Sequence, residues 1–422
     1  METAAAPTAA PPFSLPGSHF ATGLVFLLSG AVGLVAAVPA LSVGAFLAPT
    51  VTAVTHLFTL GWITVSIMGA LYQFVPVALG RPMRWTSPAP WTLAVYASGV
   101  LLLVLGMLTQ RGGLAAVGGA LVGLAVLVFV ANLLATLARA PERDLTWWAL
   151  ALAALFLVLT VALGGTLSAN LNWWFLGGDR LTAIAVHLHV AVAGWVMLVV
   201  VGVGQRLLPM FLLSHGADER PAAWAVGLLS SGTALLFAVH HVPEGLLRRA
   251  PAALILAGMA AFLLQARAFF RHRRRRSLDP GLRSAAAALA LVGVGSATGG
   301  VYALAGLSST RLVLAYVMAV ILGLSVFVAA HYYKIVPFLV FYHRYGPLVG
   351  RHPVPRVTDL YSPAAAAAAG WALVAGAGTL ILGVGARSVV VGYLGAIIFL
   401  TGATVECGQM YLLFRRRPRW DS

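Results

Sequence analysis

Acidic residues and cysteine are both scarce in this sequence. The 422 residues include 11 Asp or Glu and one cysteine, and only 9% of the chain is charged. The single thiol, Cys407, excludes a disulfide within the chain and any cluster that needs several cysteine ligands. So little charge is not enough to cover the surface of a soluble protein of this size. No row of buried carboxylates of the kind that conducts protons is expected either, since Glu406 is the deepest acid in the chain.

Apolar residues dominate instead, at 60% of the chain, with a mean hydropathy of +0.93. Apolar runs long enough to cross a bilayer as helices fall at roughly 20–46, 50–79, 91–109, 113–138, 146–167, 182–212, 221–241, 251–270, 284–306, 311–340, 361–384 and 388–413. We therefore predict an all-α integral membrane protein, with one twelve-helix domain at residues 19–414 surrounded by the lipid bilayer. We expect a disordered tail at residues 1–18 and a basic tail at 415–422.

The net charge of +16 is unevenly distributed along the chain. If the N-terminus is inside, 21 of the 27 Arg and Lys residues fall on the inner side. The other six are Arg111, Arg180, Arg248, Arg249, Arg311 and Arg387. This bias predicts that both termini are cytoplasmic. The basic run at 271–276 fits an anionic membrane face, so we expect no nucleic-acid partner.

Two segments of the chain repeat each other. The shared residues are His56, Gly61, Trp62, Gly69 and Pro76 in the first segment and His189, Gly194, Trp195, Gly202 and Pro209 in the second. A third segment keeps the proline as Pro337 but has Val317 at the histidine position. Because the three segments close predicted helices 2, 6 and 10, we predict three pseudo-symmetric groups of four helices.

The histidines separate into two levels by their distance from these prolines. The 20 residues from His56 to Pro76 span about 30 Å of helix, which places the histidine near the outer face. Five histidines share that level: His56, His187, His189, His240 and His241. An imidazole inside the membrane is costly without a partner, and it is a ligand for copper and iron, so we predict metal or haem ligation there. At the inner level, His331, Tyr333 and Lys334 are predicted to line a polar cavity.

These residues resemble subunit I of the haem-copper oxidases and nitric oxide reductases, especially a short divergent branch such as the NnrS-type haem-copper membrane proteins. "VTAVTHLF" places His56 where the family has a haem histidine, and "AVHLHVAVAGW" offers His187 and His189 in helix 6. "FAVHHVPEG" resembles the tandem copper pair of helix 7. The resemblance implies haem as the cofactor at His56 and His189. It also implies a copper site built from His187, His240 and His241, with Glu244 orienting a ligand.

The chain departs from the family in helix 10. The family has two histidines near the outer end of this helix, and this chain has none there. Tyr316 and Met318 have the equivalent spacing, and Met318 is the predicted iron ligand because thioether sulfur can hold haem iron. Ala191 and Ala193 stand near the place of the family's helix 6 tyrosine. We therefore do not expect complete four-electron reduction of oxygen.

Three functions remain open on the sequence. The resemblance implies an oxidoreductase-like redox protein of a bacterial-type inner membrane, handling electrons or a diatomic gas (NO or O2) near the outer face. Its expected partners are an outer donor such as cytochrome c or a cupredoxin, and other membrane subunits. The second function is a non-catalytic structural subunit of a respiratory or photosynthetic complex. The third is a transporter of a metal or small solute, which internal repeats favour and the shortage of midplane charge opposes.

Overall fold

The computed structural model describes residues 11–176, 180–242 and 245–418. The chain is 82% helical, and the described ranges contain no β-strand. Twelve helices in these ranges are long and apolar enough to cross a membrane. They are α1 (Ser14–Ser42), α2 (Pro49–Leu79), α3 (Ala89–Leu108), α4 (Gly112–Leu137), α5 (Leu145–Trp173), α6 (Arg180–Leu212), α7 (Arg220–Val239), α8 (Leu246–Arg271), α9 (Pro280–Leu304), α10 (Thr310–Leu348), α11 (Pro363–Gly385) and α12 (Val389–Arg415). The predicted all-α membrane protein with twelve spans is confirmed.

The first helix starts earlier than the sequence suggested. α1 begins at Ser14, inside the stretch predicted as a disordered tail, and Leu15 is buried. Pro16 lies in the first turn, where a helix needs no backbone N–H from it. At the other end, α12 continues through Arg415, the first residue of the predicted basic tail. The first and last helices therefore extend beyond the membrane domain predicted at 19–414, by five residues at the N-terminal end (19 − 14) and by one at the C-terminal end (415 − 414).

Both ends of the described chain lie on one side of the bundle. The rings of Phe13 and Phe414 have centroids 6.1 Å apart, and Arg344 donates a 2.9 Å hydrogen bond to the carbonyl of Phe414. The start of α1 and the ends of α10 and α12 therefore meet at what we call the terminal face. The opposite side of the bundle, where α2, α6 and α10 begin, is the far face.

Neighbouring helices approach closely where glycine replaces a side chain. A Cβ atom on Gly376 of α11 would lie 2.4 Å from the backbone nitrogen of Phe399 in α12, and one on Gly395 would lie 2.2 Å from that of Leu380. Such contact between backbones is how membrane helices associate when lipid offers no hydrophobic driving force. α11 and α12 therefore form a tightly packed antiparallel pair.

Candidate functional site

The two histidine repeats have the same backbone structure. α2 changes from α-helix to π-helix over Leu57–Thr64, and α6 does so over Val190–Met197. Each π-helical segment is eight residues long and begins directly after the histidine of its repeat, His56 or His189. π-Helical turns are rare and are often found at functional sites. The sequence repeat is thus also a structural repeat, and its distinctive part starts at the histidine.

The π-helical segment of α2 has a side-chain hydrogen bond from a neighbouring helix. Tyr96 of α3 is fully buried, and its hydroxyl donates a 3.2 Å hydrogen bond to the carbonyl oxygen of Leu60. A widened helical turn weakens the regular backbone pairing, so an outside donor to a carbonyl within it stabilises the turn.

The first glycine of each repeat packs against a phenylalanine of the preceding helix. A Cβ atom on Gly61 would lie 2.5 Å from Cγ of Phe26 in α1, and one on Gly194 would lie 2.7 Å from Cγ of Phe156 in α5. Neither distance leaves room for a side chain. The glycines are therefore required by the close crossing of α1 with α2 and of α5 with α6.

The second glycine of each repeat makes an equivalent contact. A Cβ atom on Gly69 would lie 2.6 Å from Cβ of His19, and one on Gly202 would lie 2.6 Å from Cβ of Ala149. His19 and Ala149 are 130 residues apart in sequence (149 − 19), as are Phe26 and Phe156 (156 − 26). The pair α1 and α2 and the pair α5 and α6 therefore share one packing geometry.

The tryptophans of the repeats join three helices at the centre of the bundle. Trp62 and Trp195 are both at most 1% exposed. The indole N–H of Trp195 in α6 donates to the hydroxyl of Thr64 in α2 at 3.3 Å, and that of Trp62 donates to the carbonyl of Ser325 in α10 at 3.2 Å. The equivalent position in α10 is Gly323. α6 thus contacts α2, and α2 contacts α10, each through a buried tryptophan.

His56 and His189 hold their rings in the same way. The Nδ1 atom of His56 bonds the carbonyl of Thr52 at 2.8 Å, and that of His189 bonds the carbonyl of Ala185 at 2.7 Å. A carbonyl only accepts, so Nδ1 carries the proton and, in a neutral imidazole, Nε2 keeps its lone pair. A backbone hydrogen bond of this type fixes the tautomer of metal-binding histidines.

His187 of α6 lies close enough to His56 of α2 for the two imidazoles to interact electrostatically. Gly164 of α5 makes room for it, because a Cβ atom there would lie 2.9 Å from Cε1 of His187. The Nδ1 atom of His187 is buried and has no hydrogen-bond partner. Each histidine follows the start of its helix by seven residues (56 − 49 and 187 − 180), about 10 Å of helix. The structure therefore places these two predicted ligands at the same depth near the far face, within electrostatic range of each other.

His189 has a different neighbour, Tyr316 of α10, with ring centroids 6.4 Å apart. The ring of Tyr302 in α9 lies 6.3 Å from that of Tyr316. Met318, the predicted iron ligand, is buried in the main hydrophobic core. Residues two positions apart do not share a helix face, so the side of α10 that meets His189 presents Tyr316 and not Met318.

His240 and His241 end α7, and their rings are 5.5 Å apart. The Nδ1 atom of His240 donates to the carbonyl of Phe237 at 2.7 Å, and His241 is exposed. In the described ranges, no three His, Cys, Asp or Glu side chains are grouped so as to hold a metal ion. His187, His240 and His241 are therefore not gathered as a three-ligand copper set there. Glu244, the predicted orienting residue, lies outside the described residues.

The three residues predicted to line an inner polar cavity each contact a different partner. Lys334 forms an ion pair with Asp279 at the start of α9. His331 donates from Nδ1 to the carbonyl of Phe327 at 2.7 Å, and its ring lies 4.3 Å from the Phe327 ring. Tyr333 is buried with its ring 5.2 Å from Tyr361. Phe211 of α6 lies near two of them, with its ring centroid 6.1 Å from that of His331 and 5.8 Å from Nζ of Lys334.

Two cavities open at the surfaces of the bundle. One of about 350 Å³ lies at the far face and is lined by Ser42, Val43, Gly44, Ser309, Thr310, Arg311 and Arg387. The other, of about 310 Å³, lies at the terminal face beside the ion pair of Arg206 and Asp144. Neither is lined by a predicted haem or copper ligand.

No protein-family model matches this chain, and no curated protein is similar enough to it to count as a match. The fold defines it as a multi-pass helical membrane protein. Its functional assignment therefore depends on the geometry of the histidines.

Proposed function

We propose that the chain is a metal-binding membrane redox protein in which His56 and His187 are ligands of haem iron or copper. The observation that supports it is that two imidazoles, from α2 and α6, lie at the same depth of the bundle and within electrostatic range of each other. Burying one imidazole in a membrane helix is costly unless it gains a partner. Binding of one metal ion by both imidazoles would offset the cost of placing two of them in the membrane.

The residues present fit such an ion. The Nε2 atom of His56 keeps its lone pair because Nδ1 is bonded to the carbonyl of Thr52. The ring of His187 lies near the backbone of Thr160, and its buried Nδ1 atom makes no hydrogen bond of normal geometry. Imidazole nitrogen is a favoured ligand for both iron and copper. When bound, either metal would supply one-electron chemistry and a coordination position for a diatomic gas such as NO or O2.

The residues around His56 and His187 support a redox role because they position the two rings. Gly164 leaves space for the His187 ring, and Gly61 lets the crossing of α1 and α2 close beside His56. The backbone bond to Thr52 fixes the His56 ring, and both histidines are half-buried in an apolar bundle. A site about 10 Å of helix below the far face suits a donor docking there, such as cytochrome c or a cupredoxin. The positive-inside bias makes that face the outer one.

The test uses the full-length protein purified in detergent. Oxidised and reduced visible spectra detect haem by its Soret band, and elemental analysis measures iron and copper. We expect one of the two metals in the wild type and its loss from His56→Ala and from His187→Ala. His272→Ala is the matched control, because His272 has the same bond from Nδ1 to the carbonyl four residues earlier but is exposed at the end of α8.

A preparation with neither iron nor copper would refute the proposal, and so would metal content unchanged in both histidine variants. The same preparation separates the two alternatives from the sequence. A structural subunit would co-purify with other membrane subunits and hold no metal of its own. A transporter would accumulate a metal ion in proteoliposomes in a way that depends on His56.

A further inference from the structure

Glu406 is an acid completely enclosed within the membrane part of the bundle. It lies on α12, nine residues before the helix ends at Arg415, which is about 14 Å of helix from the terminal face. Its residue surface is 0% exposed, and neither carboxyl oxygen has a hydrogen-bond partner. An ionised carboxylate without a partner is very costly in such surroundings, and proteins avoid that cost by pairing or neutralising the charge.

No cation neutralises Glu406 within the part of the chain that the structure describes. The group facing its carboxyl is the hydroxyl of Tyr333 in α10, which is itself buried and close enough to interact with the carboxyl. Tyr332 and Cys407 also interact with it electrostatically, and both are uncharged. Lys334, next to Tyr333 in sequence, points to Asp279 and is paired there. The neighbours of Glu406 are therefore hydroxyl and thiol groups.

A second pair of hydroxyl groups, those of Tyr332 and Ser66, lies in the same region of the bundle. The hydroxyl of Tyr332 lies 2.7 Å from that of Ser66 in α2 and 3.4 Å from the carbonyl of Phe20 in α1. Three helices, α1, α2 and α10, thus meet in one polar contact at Tyr332, a neighbour of Glu406.

Toward the terminal face, the polar groups continue through Tyr333 to Tyr361. The two rings are 5.2 Å apart, and Tyr361 lies in the segment between α10 and α11. Burial, together with the nearby charge of Asp279, raises the pKa of Tyr361 to about 12, against the opposing effect of Arg275. Tyr361 therefore keeps its proton at neutral pH and can both donate and accept a hydrogen bond.

We propose that Glu406 is a proton-binding site in the terminal half of the membrane, which holds a proton at neutral pH and exchanges it with the terminal-side solution past Tyr333 and Tyr361. The proton binds to a carboxyl oxygen and converts the carboxylate into a neutral acid, with no redox change. The site uses α10 and α12 and no imidazole. It therefore stands or falls independently of the histidine pair.

Infrared spectroscopy of the full-length protein tests this directly, because a protonated carboxylic acid has its own C=O stretch, apart from carboxylate and amide bands. We expect such a band at neutral pH in the wild type. It should disappear in Glu406→Gln, which has the shape and neutrality of the protonated acid and should fold. Glu142→Gln is the matched control, since Glu142 is exposed between α4 and α5, and it should leave the band unchanged.

Tyr333→Phe should keep the band but shift its frequency, because the hydroxyl facing the carboxyl is removed. Absence of the band in the wild type at neutral pH would overturn the proposal, as would its persistence in Glu406→Gln. Replacement of the band by a carboxylate band on adding sodium would also overturn it, since the site would then hold a metal cation.

Carbodiimide labelling gives a second measurement that needs only wild-type protein. Dicyclohexylcarbodiimide adds to protonated carboxylic acids in apolar surroundings, and the adduct retains all atoms of the reagent. Mass spectrometry should locate the adduct on Glu406, with labelling that declines as pH rises. Labelling confined to exposed acids such as Glu142, with Glu406 unmodified, would contradict the proposal even if Glu406→Gln were unstable.

Discussion

Gly61→Ala places one methyl group in the tightest contact of the first histidine repeat. The added Cβ atom would lie 2.5 Å from Cγ and 2.7 Å from Cβ of Phe26. Phe26 is buried, at 3% exposure. Turning its ring relieves the contact with Cγ only in part and leaves the contact with Cβ, which is fixed to the backbone of α1. The helices α1 and α2 must therefore move apart.

The expected cost follows from two opposing effects. Inserting a methyl group into a filled core costs about 1–3 kcal/mol when the backbone has to shift. Replacing a glycine within a helix by alanine gains about 0.5–1 kcal/mol. We expect a net destabilisation of about 0.5–2 kcal/mol, from the differences between the two lower limits and the two upper limits. Because Gly61 follows His56 by five residues, the same shift should also lower the metal content of the purified protein.

Unfolding in detergent micelles by increasing amounts of sodium dodecyl sulfate measures this difference. Gly378→Ala is the matched control, because a Cβ atom on that glycine of α11 would meet nothing within 4 Å. It should be neutral or slightly stabilising. In a Phe26→Ala background the added methyl group has space, so Gly61→Ala should there gain about 0.5–1 kcal/mol, and the double-mutant cycle should show a coupling of about 1–3 kcal/mol, the steric cost. Equal effects of Gly61→Ala and Gly378→Ala, or additivity with Phe26→Ala, would refute the reasoning.

Three further predictions use the same unfolding measurement. Lys334→Met leaves Asp279 with Arg275, 3.3 Å away, as its remaining ion-pair partner and should cost about 1–3 kcal/mol, most of which Lys334→Met with Asp279→Asn should restore. Trp195→Phe removes the donor to the Thr64 hydroxyl and should cost about 1–3 kcal/mol; an unchanged stability would show that this bond is not formed. Tyr361 ionises near pH 12 in the folded protein and near pH 10 when unfolded. The stability it confers is therefore complete below pH 10 and is lost as pH rises to 12, and Tyr361→Phe should flatten this part of the pH profile.

The sequence repeat was a reliable guide to local structure but did not reveal its unusual part. Equal spacing of histidine, glycine and proline in α2 and α6 predicted equivalent helices, and Gly61 and Gly194 do make equivalent contacts. The π-helical segments that follow His56 and His189 were not predicted. An apolar membrane helix is apolar on all sides, so hydrophobic periodicity, which distinguishes helical types in water-soluble proteins, carries no such signal here.

The neighbours of each predicted site residue could not be inferred from the resemblance. The sequence grouped five histidines by depth, but depth alone does not say which rings meet. The structure places His187 within electrostatic range of His56 and Tyr316 near His189, while His240 and His241 stay together just after α7. Two histidines on one helix, separated by a single residue, face different neighbours because successive positions rotate by about 100° around the helix axis.

What the sequence alone determined is the membrane class, the twelve spans and the repeat. Each of these depends on the free energy of moving a local segment from water into lipid, or on spacing along one helix, and both can be evaluated one segment at a time. Only the tertiary structure decided that His187 lies within electrostatic range of His56, that Lys334 is paired with Asp279, and that Glu406 faces Tyr333 without a cation. Those contacts depend on how each helix is rotated and displaced against its neighbours, which many glycine and side-chain contacts fix together.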